Sequence, residues 1–209
     1  MITSKSLLKI IQNIAEAIKS NKEYLTDLDN PIGDSDHGIN MSKGFTAVLN
    51  KLEDLKDKDC GTILKTVAMT LISTVGGASG PLYGTAFLKS SMVVSGKMDI
   101  DKQDAVKIFY EAIEGIKIRG KAQKGDKTML DALIPAHEAL EKAVENGEDT
   151  IMAFERAAIA AQEGVEFTKT IIARKGRASY LGERSIGHQD PGATSSYIII
   201  REIANTLKS

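Results

Sequence analysis

The sequence predicts an all-α protein. Three observations carry that. Apolar residues recur at intervals of three and four along most of the chain, no pair of alternating segments offers a sheet, and the patterned stretches are separated by charged or Gly-rich breaks. The chain has 209 residues, of which 42% are hydrophobic and 26% charged, a globular composition that excludes a disordered or collagen-like chain. Aromatic residues are 5% and Trp is absent, so Leu, Ile, Val, Ala and Met must build the core.

The first stripe is Leu7, Ile11, Ile14 and Ile18, widened by Leu8 and Ala15. Phe45, Val48, Leu49 and Leu52 form the next, followed by Ile63, Leu64, Val67, Ala68 and Leu71. A helix over Leu82–Val94 precedes the face made by Ala105, Ile108, Phe109, Ala112, Ile113 and Ile116. Leu130, Leu133, Ile134, Leu140 and Val144 make another, which Pro135 is expected to bend or restart. Thr150 to Arg174 reads as one long helix capped by Asp149 or Thr150. Tyr197-Ile198-Ile199-Ile200 has strand propensity but no alternating partner. It runs on into Ile203, Ala204 and Leu207 and is read as a buried helix. The total is about eight helices with no strand pairing.

Charge and cysteine content narrow the function classes. Lys plus Arg is 27 and Asp plus Glu is 28, for a net charge of −1, which argues against non-specific binding to nucleic acid or anionic membranes. The lone cysteine, Cys60, excludes an intrachain disulfide or a Cys-based zinc site and fits a reducing cytoplasm. No apolar run approaches the roughly 20 residues that span a bilayer, and Met1–Lys9 lacks a signal-peptide apolar block.

Four breaks are long and Gly-rich, and loops set on a helical scaffold are where sites are built. The first, Asp29–Gly38, places Asp29, Asp34 and Asp36 within eight residues around Pro31 and Gly33. Carboxylates this close repel unless a cation or protons neutralise them, and a hard divalent ion such as Mg2+ takes such oxygen ligands. An EF-hand fails on spacing, because Ile39 falls where Gly is required and Phe45 where Glu is required. His37 and Asn40 stand at the next helix start, whose backbone N–H groups favour an anion. Gly76–Gly84 joins two helical patterns, and its small residues, with the Ser79 hydroxyl, suit close approach to phosphate. Gly115–Ala122 nearly matches a P-loop. It follows a helical pattern rather than a strand, and Ala122 replaces the Ser or Thr, so a P-loop is rejected. Gly120–Met129 reads as a loop entering a helix, with Asp126 or Thr128 near its cap. The fourth loop, Ala173–Thr194, holds Arg174, Lys175, Arg177 and Arg184. Tyr180, Leu181 and Ile186 within it argue for order, and Arg is suited to gripping phosphate in a planar fork.

Together these loops resemble the DhaL family, the nucleotide-binding L subunits of dihydroxyacetone kinases. The matching stretches are Ile32–Met41, Gly76–Gly84, Gly125–Met129 and Ala173–Ala193, and the likeness covers essentially the whole chain, 1–209, as one domain. The resemblance implies a closed antiparallel barrel of eight amphipathic helices, with ADP or ATP and two Mg2+ ions in a pocket at one end. It implies metal ligation by Asp29, Asp34 and Asp36, phosphates near His37, Asn40, Ser79 and Arg177, adenosine near Ala78, Gly120, Thr128 and Met129, and closure by Asp190, Pro191 and Gly192. His37 and Arg177 are the residues it would make catalytic. With 209 residues there is no room for the substrate domain of ATP-dependent members, so the likeness points to the stand-alone subunit of the phosphoenolpyruvate-dependent system. There, ADP is rephosphorylated in place by a phosphohistidine M subunit, and the γ-phosphoryl passes to dihydroxyacetone on a K subunit. Three rivals stay open: a carrier phosphorylated on His37, a Mg–nucleotide-binding regulator docking on a transcription factor, and the nucleotide domain of another small-molecule kinase.

Overall fold

The computed structural model describes residues 1–209. It is helical throughout: α1 (Ser4–Ser20), α2 (Lys22–Asp29), α3 (His37–Leu49), α4 (Cys60–Thr74), α5 (Ser79–Val93), α6 (Lys102–Gly120), α7 (Leu130–Glu145), α8 (Thr150–Thr168) and α9 (Pro191–Lys208). Short 3-10 segments cover Glu53–Leu55 and Arg177–Ser185. Eight of the nine α-helices are the expected ones. The ninth, α2, buries only Leu25 and Asp29, too little to leave an apolar stripe in the sequence. The helix expected to reach Arg174 ends at Thr168.

One strand pair was not expected. Ile2–Thr3 (β1) pairs antiparallel with Asp99–Ile100 (β2), with Ile2 opposite Ile100, both buried. The pair seals the end of α1 against the α5–α6 connection.

Helix starts follow capping chemistry. Thr3, Asp59, Asp149 and Asp190 each accept a backbone N–H three residues on, and Asp101 with Asp104 forms a reciprocal capping box. At α7 the cap position is Met129 with Thr128 beside it, as expected; the Thr128 hydroxyl accepts the Leu130 N–H at 3.2 Å, and Asp131 reaches back to accept the Thr128 N–H at 2.8 Å.

Each helix packs on the next. α1 lies on α3, and α3 on α4, then the order runs α4–α5–α6–α7–α8–α9, and α9 lies on α1. Inside sits a continuous core that includes Ile11, Ile14, Phe45, Leu71, Ile116, Leu140 and Ile198. The core is not wholly filled, for an apolar cavity is lined by Ile10, Phe87, Phe109, Met129 and Ile199 among others.

Pro135 does not break α7, which runs unbroken through it. Having no N–H, Pro135 leaves the Asp131 carbonyl without its helical donor. Gly164 of α8 lies against that carbonyl so closely that a Cβ there would sit 2.0 Å from the oxygen. The helix therefore does not restart at Pro135, and the close approach of Gly164 packs α8 against the first turn of α7, beside the site described next.

Candidate nucleotide and metal site

Side-chain contacts tie the starts of α3, α5, α7 and α9 together at one end of the molecule. Helix N-termini present unpaired N–H groups and the positive end of the dipole, so this end favours an anion.

The floor is the acidic loop between α2 and α3. Asp29 closes α2 and is buried; Asp36 precedes α3; Asp34 lies between them. One oxygen from each carboxylate lies within 4.8 Å of the others. Gly33 makes this possible, because a Cβ there would fall 1.9 Å from Asp29 Oδ1. Asp29 Oδ2 accepts the Asp36 N–H at 2.9 Å and the His37 N–H at 3.3 Å, which orients it. Burial, then the nearby Asp34 charge, raises the Asp36 pKa. Three clustered carboxylates, all oxygen donors, suit a hard divalent cation.

His37 turns its ring inward. Nδ1 meets Ser79 Oγ at 3.1 Å and Nε2 meets Ser195 Oγ at 2.8 Å. Burial lowers its pKa to about 4, against a smaller opposing pull from Asp29. Tyr83 OH extends the chain, lying 2.7 Å from Ser195 Oγ and 2.9 Å from Ser196 Oγ, and donating to the Gly192 carbonyl at 3.2 Å. Asn40 lies against Gly76, which joins the acidic loop to the Gly-rich turn before α5. Ala78 is the residue at the α5 cap, and Ser79 the first of that helix.

The third wall is the Gly125–Met129 loop. Asp131 organises it, accepting the Gly125 N–H at 2.5 Å through Oδ1 and the Thr128 N–H through Oδ2. Met129 lies against Gly192, while Gly120, at the end of α6, lies beside Leu82. Asp190 caps α9 through the Ala193 N–H at 2.7 Å. Burial pushes its pKa up to about 7; Asp131 adds to the rise, while the Ala193 N–H and Lys127 oppose it.

Residues 169–189 form a lid. Arg177 Nη2 sits 2.8 Å from Asp34 Oδ2, over the acidic floor, with 69% of its side chain exposed. Arg174, Lys175 and Arg184 make no ion pair and Lys169 pairs with Glu166, so of the five lid cations only Arg177 faces the acidic floor. The lid's order does not come from Tyr180 or Ile186, both exposed. It comes from Ala173, Ala178 and Leu181 packed on Ile32 of the acidic loop, and from Lys127 beneath.

Of the residues expected from the sequence, Asp29, Asp34, Asp36, His37, Asn40, Ser79 and Arg177 form one cluster. Met129, Asp190, Pro191 and Gly192 adjoin it through Tyr83 and Ser195. Gly120 lies beside Leu82 and the Thr128 N–H donates to Asp131, and neither residue makes a hydrogen bond to Asp29, Asp34 or Asp36. Tyr83, Lys127, Asp131 and Ser195 were not foreseen.

A family model described as DAK2 domain matches residues 31–205. This chain belongs to the DAK2-domain family. It is 42% identical to the Escherichia coli (strain K12) protein named PEP-dependent dihydroxyacetone kinase, ADP-binding subunit DhaL, over 99% of both chains. It is likewise 42% identical to the PTS-dependent dihydroxyacetone kinase ADP-binding subunit DhaL of Lactococcus lactis, over 99% of this chain and 100% of that one. The crystal structure of the C. freundii dihydroxyacetone kinase in complex with AMP-PNP and Mg2+ shares the fold, with TM-score 0.75 at 23% identity, covering 95% of this chain and 33% of that one.

Proposed function

We propose that this DAK2-domain chain is the ADP-binding subunit of a phosphoenolpyruvate-dependent dihydroxyacetone kinase, a cytoplasmic phosphotransferase acting on an alcohol. On this reading residues 1–209 are one domain. Its eight longer helices close an antiparallel barrel, a reading supported by the packing of α9 back onto α1. The observation that carries the functional reading is the Asp29–Asp34–Asp36 cluster capped by Arg177 at an end built from helix starts.

Asp29, Asp34 and Asp36 would hold two Mg2+ ions, which when bound neutralise phosphate charge. The chain's own groups do the positioning. The N–H groups at the starts of α3 and α5, with Asn40 and Ser79, face the phosphates, and Arg177 reaches oxygens on the solvent side. Gly120, Thr128, Met129 and Ala78 border the adenosine, with Asp190, Pro191 and Gly192 closing the pocket. Phosphoryl transfer needs positioning and charge compensation more than a protein nucleophile. His37 is buried with both ring nitrogens engaged by hydroxyls, so its part is to hold Ser79 and the α3 start in place. That geometry counts against His37 as a phosphoryl carrier. The phosphoryl donor would be a phosphohistidine M subunit, and dihydroxyacetone with its general base would sit on a K subunit. A second contact with a transcription factor would use the helical exterior.

Gel filtration of the purified protein tests the reading. Nucleotide should co-elute with the protein in Mg2+ and be released by a chelator. Elution free of nucleotide, with no uptake of added ADP and Mg2+, would sink it.

A further inference from the structure

Lys127 is 1% exposed yet carries an ammonium group. Its backbone is left-handed, with φ +61, a region that side chains of this kind seldom adopt. Nζ donates to the carbonyls of Thr168 at 2.6 Å, Ser185 at 2.7 Å and His188 at 2.5 Å, with that of Ile171 further off at 3.4 Å. An ammonium has three N–H donors, so the three short contacts use all of them. No carboxylate is in direct contact; Asp190 and Asp131 act on it only at longer range.

The three carbonyls are not neighbours in sequence. Thr168 ends α8 where the lid begins, Ser185 ends its 3-10 segment, and His188 lies two residues before Asp190, where the lid rejoins the body. One side chain therefore pins the lid at its entry and at two points near its exit. The backbone of the same residue belongs to the Gly125–Met129 loop, and the Asp126 carbonyl beside it accepts the Arg174 N–H at 3.0 Å. A Met of similar length would fill the same space at lower desolvation cost and grip nothing. The ammonium is thus explained by the geometry that it imposes.

We infer that Lys127 is a positioning residue that couples the Gly125–Met129 loop to the lid and holds Arg177 over the Asp29–Asp34–Asp36 cluster. The inference rests on the reading of this site as one for ADP and Mg2+. Order imposed on Thr128 and Met129 by the adenosine is passed through Lys127 to the lid. Order imposed on Arg177 by the phosphates returns the same way.

Calorimetric titration of the whole protein with ADP at fixed Mg2+ tests this, comparing wild type, Lys127→Met, Arg177→Ala and the double variant. Leu140→Ala, a core change remote from the site, controls for lost stability. Lys127→Met should weaken ADP about tenfold or more, the scale of losing a partner that orients a ligand. Because both act through the lid, the double variant should be no weaker than the weaker single variant by more than about threefold. Leu140→Ala should stay within about twofold of wild type. Lys127→Met binding like wild type, or losses that multiply in the double variant, would overturn the inference while leaving the site reading intact. Wild type that binds no ADP would overturn both. A measurement on wild type needs no variant to fold. With 15N-labelled lysine, the Lys127 ammonium protons should exchange with water more slowly once ADP and Mg2+ are added. An unchanged exchange rate would also overturn the coupling.

Discussion

The floor of the site and its lid are built in opposite ways. The floor is local. Three carboxylates lie within eight residues, one of them is oriented by N–H groups seven and eight residues on, and a single glycine makes room for it. The lid is held from afar. Lys127 reaches it across 41 to 61 residues, and Arg177 meets Asp34 on the other side of the chain. The floor therefore survives as a motif that can be read by eye, whereas the lid's geometry belongs to the fold.

The largest losses are expected at the floor. Asp34→Asn or Asp36→Asn should abolish nucleotide retention and phosphoryl transfer together, exceeding the roughly 10–100-fold that losing a mere outer-shell partner costs. Each removes a hard ligand and leaves phosphate charge uncompensated. Retained nucleotide and full activity in both variants, measured without added Mg2+, would reduce the acidic loop to a helix lead-in.

The lid should yield a smaller loss and a different signature. In the free protein the Arg177–Asp34 pair is largely exposed, so Arg177→Ala should change unfolding stability by no more than about 1 kcal/mol. With ADP bound, the guanidinium contact should be worth about 1.5–3 kcal/mol, roughly tenfold to a hundredfold in the dissociation constant. Arg177→Lys should recover little, because an ammonium lacks the planar fork. Denaturant unfolding and ADP titration of both variants separate these effects. An unchanged dissociation constant would take Arg177 out of the site.

How much was legible in the sequence follows the same division. The apolar stripes announced α1 and α3 to α9 because each buries a long face, while α2 and the two-residue strands bury too little to show a period. Pro135 predicts a bend or a restart; the helix does not restart, and nothing in the local sequence links Pro135 to Gly164, which packs on the carbonyl it leaves without a donor. Asp29, Asp34 and Asp36 stand out by chemical type and clustering, whereas Arg177 is singled out only by the family resemblance, because charge alone does not separate it from Arg174, Lys175 and Arg184. Tyr83, Lys127, Asp131 and Ser195 do not stand out, since a lone Tyr, Lys, Asp or Ser within a helix or its lead-in is unremarkable until its partner is known. The Ser195 partner, His37, is 158 residues away.

A pH-dependent effect is expected where floor and lid meet at α9. His37, with a folded pKa of about 4 against 6.5, favours the neutral ring, so its contribution to stability is lost as pH falls below 6.5. Asp190, with a folded pKa of about 7 against 3.8, favours the neutral acid, so its contribution is lost as pH rises from 3.8 toward 7. Between these limits the two trends oppose. Asp190→Asn keeps an oxygen for the Ala193 N–H but removes the acid's titration. The variant should therefore lose about 2 kcal/mol more than wild type between pH 6.5 and 5, in urea unfolding of nucleotide-free protein. Parallel pH profiles for the two proteins would show that Asp190 does not carry the buried proton.

On the proposed reading this chain carries a nucleotide that is recharged in place, and not a phosphorylated histidine. Reconstitution with labelled phosphoenolpyruvate, a phosphohistidine donor and a dihydroxyacetone-holding subunit tests it most directly. The label should appear first in ATP held by this chain and then in dihydroxyacetone phosphate. Without the donor, product should stop at one equivalent per bound ATP. Acid-labile label on His37, or rapid multiple turnover of free ATP and dihydroxyacetone by this chain alone, would contradict the account.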